Sequence, residues 1–282
     1  MRASVGRRLI NVARRTCRGM PRPLRTAAAK MLMHAYRKRH TVAWVDGVRF
    51  ELDLGEVIDF SLYMNNFEPE VTAALRRETQ PGMTVFDIGA NIGAHTMLLA
   101  SWTGEEGRVV AFEPTDFAFR KLQRNLSLNS LSWVTAVKAA LSDQNVLGQS
   151  VNFRASWRTD GGRGDGISVV DFVRLDDWCA ANGVASVDLI KLDVDGNEFP
   201  VLAGAREIIA RNRPLFVMEA VAPHFARPDR NPFRFLEQNG YEFRDLHGGA
   251  TLSIDGLRRR LPAHDPGMTV STNAVAIAAR PR

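Results

Sequence analysis

Apolar and polar positions alternate along this chain in units that switch repeatedly from a strand period to a helix period. Thr84 to Ile88 is β-branched, aromatic or aliphatic except for Asp87, and Gly89 closes it, which predicts a buried strand entering a tight turn. From Ala94 to Trp102 the pattern is helical. The unit repeats: Arg108 to Pro114 (RVVAFEP) predicts a second strand ending on Glu113, and a helix follows from about Asp116 to Asn129 with Phe119, Leu122 and Leu126 on one face. Further strands are predicted over Val134 to Leu141, Val187 to Leu192, Leu215 to Val221, Tyr241 to Leu246 and Ala274 to Ala279. The helix after the fourth strand turns Val201, Leu202, Ala205, Ile208 and Ile209 inward, and a later one starts at Asn231-Pro232 and stops at Gly240. Upstream, Thr41 to Leu54 alternates across Asp46-Gly47, a hairpin signal, and Pro69 to Glu78 reads as a helix leading to a Pro81-Gly82 turn. Alternating βα units with a terminal β pair predict an α/β sandwich with helices on both faces of a mostly parallel sheet. Asn145 to Gly166, polar and carrying Gly161, Gly162, Gly164 and Gly166, is expected to be an excursion without regular structure, either a lid over a substrate or a plain exposed loop.

Charge separates one segment from the rest. Residues 1–40 hold twelve cations and no acid, leaving 25 cations against 31 acids elsewhere. Within that arm Leu24, Ala28, Met31, Leu32 and Ala35 recur at helical spacing. A basic amphipathic helix fits a peripheral contact with an anionic membrane, a grip on nucleic acid phosphates, an organellar transit peptide, or a solvated helix packed on its own domain. Cys17 and Cys179 make no disulfide framework and no Cys/His cluster has zinc spacing. With no apolar run of about 18 residues and no apolar leader, the expectation is a cytoplasmic protein.

The glycine turn carries the most specific chemistry. Gly89, Ala90, Asn91, Ile92 and Gly93 join strand to helix, and glycines suit a turn on which a ligand lies against backbone N–H groups at a helix N-terminus. Glu113 follows Gly93 by 20 positions, placed to accept the hydroxyls of an adenosine ribose. The dinucleotide spacing G-x-G-x-x-G is not met. Asp87 at the mouth of the turn would repel a pyrophosphate and attract the ammonium and sulfonium of S-adenosylmethionine (SAM).

With these residues the chain resembles the FkbM family of SAM-dependent methyltransferases. The resemblance runs through VFDIGANIGAHT (85–96), VVAFEPTDFAFRKLQRNLSLN (109–129), AALSDQ (139–144), VRLDDW (173–178), DLIKLDVDGNEFPVLAGA (188–205), FVMEA (216–220) and FLEQNGYEF (235–243), in the family's order. One departure is Asp195, where the family's D-V-E-G-x-E segment has Glu. The resemblance implies a Rossmann-like class I methyltransferase: a mostly parallel seven-stranded sheet, helices on both faces and a terminal antiparallel strand. Together with the charge and periodicity along the chain, three parts are expected: a basic arm (1–40), a hairpin and helix extension (41–80) and a SAM-binding domain (81–282). The resemblance also implies that Asp87, Gly89, Asn91 and Gly93 line the methionine half of SAM while Glu113 holds the ribose.

Other strand ends add Ser142 with Asp143, Asp193 with Asp195, and Glu219 with His224, an acidic rim suited to a cationic cofactor. Ser142 or Asp143 is expected either to meet the adenine amino group or only to cap its loop. Methyl transfer to a hydroxyl needs a base. Asp193 is the first choice, followed by Asp195, Glu198 and His224, the last expected at the surface. Asp193, Asp195 and Glu198 could instead hold Mg²⁺, a reading not favoured because acidic strand tips are satisfied by water or a helix N-terminus. The function expected is O-methylation of a small-molecule, sugar or lipid-linked acceptor. The rivals are an RNA methyltransferase using the basic arm, weakened by the missing [DN]-P-P-[YF] motif after Leu192, and a non-catalytic SAM-fold module tethered to membrane or nucleic acid.

Overall fold

The computed structural model describes residues 40–157, 163–249, 251–261 and 271–278; the basic arm lies outside the described residues apart from His40. The chain divides into two compact units, one from residues up to Pro69 with Arg154–Gly166, the other from Glu70–Phe153 and Ile167–Arg282. In the first, β1 (His40–Val45) and β2 (Val48–Asp53) form the expected hairpin, with Val45 opposite Val48 and both turn residues, Asp46 and Gly47, at positive φ. A short helix α1 (Val57–Tyr63) follows, and its Asp59 accepts the backbone N–H of Asp53.

From α2 (Pro69–Glu78) the chain proceeds through β3 (Thr84–Ile88), α3 (Ala94–Thr103), β4 (Arg108–Phe112), α4 (Asp116–Ser127), β5 (Val134–Val137), β6 (Ala140–Leu141), β7 (Val146–Trp157) and β8 (Arg163–Val173), all in the second unit except Pro69 and the parts of β7 and β8 that fall within Arg154–Gly166. Then come α5 (Leu175–Ala181), β9 (Leu189–Leu192), α6 (Glu198–Ala203), α7 (Arg206–Asn212), β10 (Leu215–Val221), α8 (Pro232–Gln238), β11 (Tyr241–Asp245), β12 (Thr251–Leu252), α9 (Ile254–Arg260) and β13 (Ser271–Ala278). The main sheet has the order β12-β11-β13-β10-β9-β3-β4-β5. Its five strands from β10 to β5 are parallel, and β13 is antiparallel to both β10 and β11. The two-residue β12 adds an eighth strand to the seven expected.

Strand period 2 sorts the core onto the two faces. Phe86 and Ile88 of β3 pack with Val110, Phe112, Ile190 and Leu192 against Leu175, Leu202, Ile208 and Phe233 from the helices of one face. Val85, Val109, Leu189 and Val217 point the other way, onto Leu75 of α2 and Leu99 of α3. Asp87 therefore belongs to the face covered by α3. The chain winds outward from β3 through β4 to β5 and then returns to β9 on the other side of β3, so the winding reverses between β3 and β9. Ligand crevices of open α/β sheets open at the carboxyl ends of such a pair.

Two expectations are corrected. The third strand stops at Val137; Ala140 and Leu141 leave the main sheet and pair with Phe172 and Val173 of β8. The break falls at Lys138, whose ammonium is ion-paired to Asp116 at the start of α4. Likewise the Asn145 to Gly166 stretch carries regular structure: β7 and β8 hydrogen-bond each other in a three-stranded sheet with β6. In β8, Ser168 and Val170 are buried while Ile167 and Val169 face solvent, so the alternation is real but its outer face is apolar.

Close packing fixes the turn after β3. Gly89 and Ala90 both donate to the carbonyl of Phe112 at 3.0 and 2.9 Å. Gly89 has φ +80°, and a Cβ there would stand 1.8 Å from the carbonyl oxygen of Asp193. Gly89→Ala is thus expected to destabilise the protein by about 3 kcal/mol or more, the scale of severe backbone strain and overpacking. Urea denaturation measures it, and a change under about 0.5 kcal/mol would contradict this packing.

Candidate active site

The switch point brings together residues from β3, α3, β4 and β9. The glycines of the turn are required by protein packing rather than by room for a ligand: Gly89 lies against the end of β9, and a Cβ on Gly93 would stand 2.6 Å from Leu122 of α4. Asn91, at φ 51°, folds its side chain onto the N–H of Ile92 at 2.8 Å. Gly93, at φ 86°, ends the turn, and no side chain caps the amino end of α3.

Glu113 is buried at the tip of β4 and braces that turn. Its Oε2 accepts the Asn91 N–H at 2.9 Å, and its Oε1 accepts the Thr115 N–H and hydroxyl at 2.8 and 2.6 Å. Burial raises its pKa above the usual carboxylate range, against the pull of the Thr115 and Asn91 hydrogen bonds; the nearby Asp87 charge adds least. A carboxylate offers about four acceptor positions. Three are filled, which leaves one acceptor position at Oε2, beside the turn.

Asp87 does not stand at an open mouth as expected. It is wholly buried beneath α3, with Thr96 Oγ1 donating to Oδ2 at 2.6 Å. Its other oxygen has the ammonium of Lys191 at 3.3 Å but no hydrogen-bond donor in line. Asp87 and Lys191 are register partners on adjacent strands, and period 2 turns both toward α3. Lys191 also lies 3.3 Å from Asp193 Oδ2 and donates to the Gly89 carbonyl at 3.3 Å. The acidic rim is therefore partly neutralised from within. Sequence reasoning passed over Lys191, although a lysine inside the apolar run Leu189 to Leu192 was the available signal. It also passed over His95, buried on α3 with Nε2 3.2 Å from Thr72 Oγ1.

The remaining candidates separate. The Asp193 side chain, 32% exposed, is open to solvent at the end of β9, and Asp195 is exposed at φ 53° in the turn that follows. Glu198 is fully buried: Oε1 accepts the N–H groups of Val194 and Gly196, and Oε2 meets His224 Nε2. His224 is correspondingly not at the surface. Its Nδ1 accepts the Val221 N–H at 3.2 Å, which puts the ring proton on Nε2, directed at Glu198. With both nitrogens engaged inside the protein, His224 is not placed to act as a base; the pair instead ties the Asp193–Glu198 turn to the end of β10. Ser142 donates its N–H to Val173 and its hydroxyl to Asp143, and a Cβ on Gly204 would meet its carbonyl oxygen at 2.0 Å. Because β5 ends at Val137, Ser142 and the exposed Asp143 follow β6 and do not mark the carboxyl end of the third main strand.

Asp193, Asp195 and Glu198 do not converge: among the described residues no group of three or more His, Cys, Asp or Glu side chains has metal-binding geometry. The carboxylate oxygens of Glu198 are already engaged, so this set does not fit Mg²⁺. Cys179 is buried and its thiol is pushed up to about 12 by burial, which makes it inert as a nucleophile. No helix among the described residues is long and apolar enough to cross a membrane.

Strand order and a turn-and-acid site at the switch point define a Rossmann-like fold of the class I methyltransferase type. Residues 87–243 match the methyltransferase FkbM domain, and the chain belongs to that family. It is 28% identical to the 2-O-methyltransferase NoeI of Sinorhizobium fredii, over 49% of this chain and 63% of that protein, so it spans less than two thirds of that relative. It is 29% identical to methyltransferase sdnD of Sordaria araneosa, over 56% of this chain and 73% of that one. Methyltransferase FkbM from Methylobacillus flagellatus shares 17% identity, with a TM-score of 0.43 over 90% of this chain and 59% of that chain.

His95 gives the site a pH signature. Burial, and secondly the Lys191 charge, push its pKa down from 6.5 to about 3. Below about pH 6.5 the unfolded chain takes up a proton that the folded chain refuses until about pH 3, so folding loses stability as pH falls through that window. Relative to a His95→Gln variant, the wild type is expected to lose up to about 1.4 kcal/mol per pH unit there. Urea titrations at about pH 7 and pH 5 measure the difference, and a pH-independent gap would contradict a neutral buried imidazole.

Proposed function

We propose that this protein is a SAM-dependent O-methyltransferase acting on a hydroxyl of a small-molecule, sugar or glycolipid acceptor. The observation that carries the reading is Glu113, whose free acceptor position lies beside the glycine turn at the switch point of an FkbM-family sheet. S-adenosylmethionine would supply an electrophilic methyl group on a sulfonium. Glu113 would hold the ribose, and the turn from Gly89 to Gly93 the amino-acid half. Asp87 and Asp193 outnumber the Lys191 ammonium between them, a balance that favours a cationic ligand.

Asp193 is the candidate base. Of the acids gathered at the switch point it is a solvent-open one, whereas Asp87 and Glu113 are buried and committed to internal partners. Its carboxylate would orient the acceptor hydroxyl and take its proton as the oxygen bonds to the methyl carbon and the methyl–sulfur bond breaks, with S-adenosylhomocysteine as the leaving group. The relative named a 2-O-methyltransferase supports oxygen as the atom methylated. No step runs through a metal, because the three acids considered for one do not fit it.

Two measurements test the reading. In calorimetric titration the wild type is expected to bind both SAM and S-adenosylhomocysteine, and Glu113→Ala to weaken both by about tenfold or more, since each carries the ribose. Radiolabelled methyl transfer into cell extracts is expected to place label in glycolipid, oligosaccharide or small-metabolite fractions. Binding of neither ligand would reject the methyltransferase reading, and label confined to RNA would reject the acceptor class.

A further inference from the structure

Lys191 is 4% exposed in the middle of the candidate donor site, and the roles assigned so far leave it unused. Its ammonium lies 3.3 Å from Asp87 Oδ1, 3.3 Å from Asp193 Oδ2 and 3.3 Å from the Gly89 carbonyl oxygen. Two carboxylates and one ammonium leave a single negative charge. Asp87 is closed off beneath α3, so the solvent-open end of that cluster is Asp193. His95, close enough to feel both Lys191 and Asp193, stays neutral and does not alter the sum. Charges held in a protein interior interact far more strongly than in water. A sulfonium donor carries a positive charge that its thioether product lacks, so the net charge of this cluster acts on one ligand and hardly on the other.

We propose that Lys191 is a positioning residue that sets the net charge of the Asp87–Asp193 pair at minus one, and thereby sets how strongly the site prefers SAM over S-adenosylhomocysteine. This rests on the reading of the site as a SAM pocket. A preference of this kind helps the spent cofactor leave. One ammonium between two carboxylates also spares the chain an uncompensated buried charge at Asp87.

Charge balance tests it. Dissociation constants for SAM and S-adenosylhomocysteine are measured by calorimetry for the wild type, for Asp193→Asn and for Asp87→Asn with Lys191→Met, with thermal melting to check folding. Asp193→Asn brings the cluster to zero, and the preference for SAM is expected to fall by about tenfold. Asp87→Asn with Lys191→Met leaves the solvent-open Asp193 as the one charge, so the cluster stays at minus one and the preference is expected to lie within about threefold of wild type. Lys191→Gln replaces Lys191→Met if the latter fails to fold. An unchanged ratio in Asp193→Asn, or a double variant that falls to the Asp193→Asn ratio, overturns the proposal and leaves Lys191 a structural ion. Wild-type protein that binds neither ligand rejects the methyltransferase reading itself, a distinct result.

Discussion

The ion pair of Asp87 and Lys191 joins adjacent parallel strands where the sheet reverses its winding, and it sets charge beside core clusters built mainly of valine, leucine, isoleucine and phenylalanine. A buried carboxylate without a counter-charge is costly, and removing one member of such a pair typically costs about 3–5 kcal/mol. The register of β3 on β9 is therefore specified by charge as well as by apolar packing. The parts of the site hang from it. Gly89 can approach the Asp193 carbonyl only in that register, and the turn it begins is braced from the far side by Glu113 through Asn91. Below β9, Glu198 and His224 hold the turn that carries Asp195.

Much of the fold was legible in the sequence because its signals are local. The Asp46-Gly47 hairpin, Asn231 capping α8 with its side chain, and the apolar runs of β3, β4, β9 and β10 each depend on short-range pattern. What could not be read depends on contacts distant in sequence. Nothing local in Val134 to Leu141 marks a break at Lys138, because the break is tied to Asp116 on another element. The strands β7 and β8 were hidden by apolar residues on their solvent side, Leu147, Ile167 and Val169, which blur the alternation.

The candidate site divides in the same way. Glu113 was found by its distance from the glycine turn, but its second task, bracing that turn, required the folded geometry. His224 follows a strand among prolines and an arginine and reads as surface; in the fold it is buried, with Phe233 edge-on to its ring and Phe225 stacked on Phe233. Lys191 was the larger omission. An isolated lysine in an apolar run gains meaning only when β9 is set beside β3, and then it changes the reading of every acid near it. Within the rim first taken as an excess of carboxylates, Asp87 and Asp193 share one ammonium.

The central claim is that the switch point between β3 and β9 is a donor pocket for an adenosine-bearing methyl source. A crystal structure of the protein with S-adenosylhomocysteine tests it most directly. The account predicts one ribose hydroxyl on Glu113 Oε2, the amino-acid end along the Gly89–Gly93 turn, and the thioether sulfur on the side of Asp193. A ligand bound elsewhere, such as the hollow lined by Asp176, Cys179, Glu207 and Arg211, with Glu113 still bonded only to Asn91 and Thr115, would contradict it.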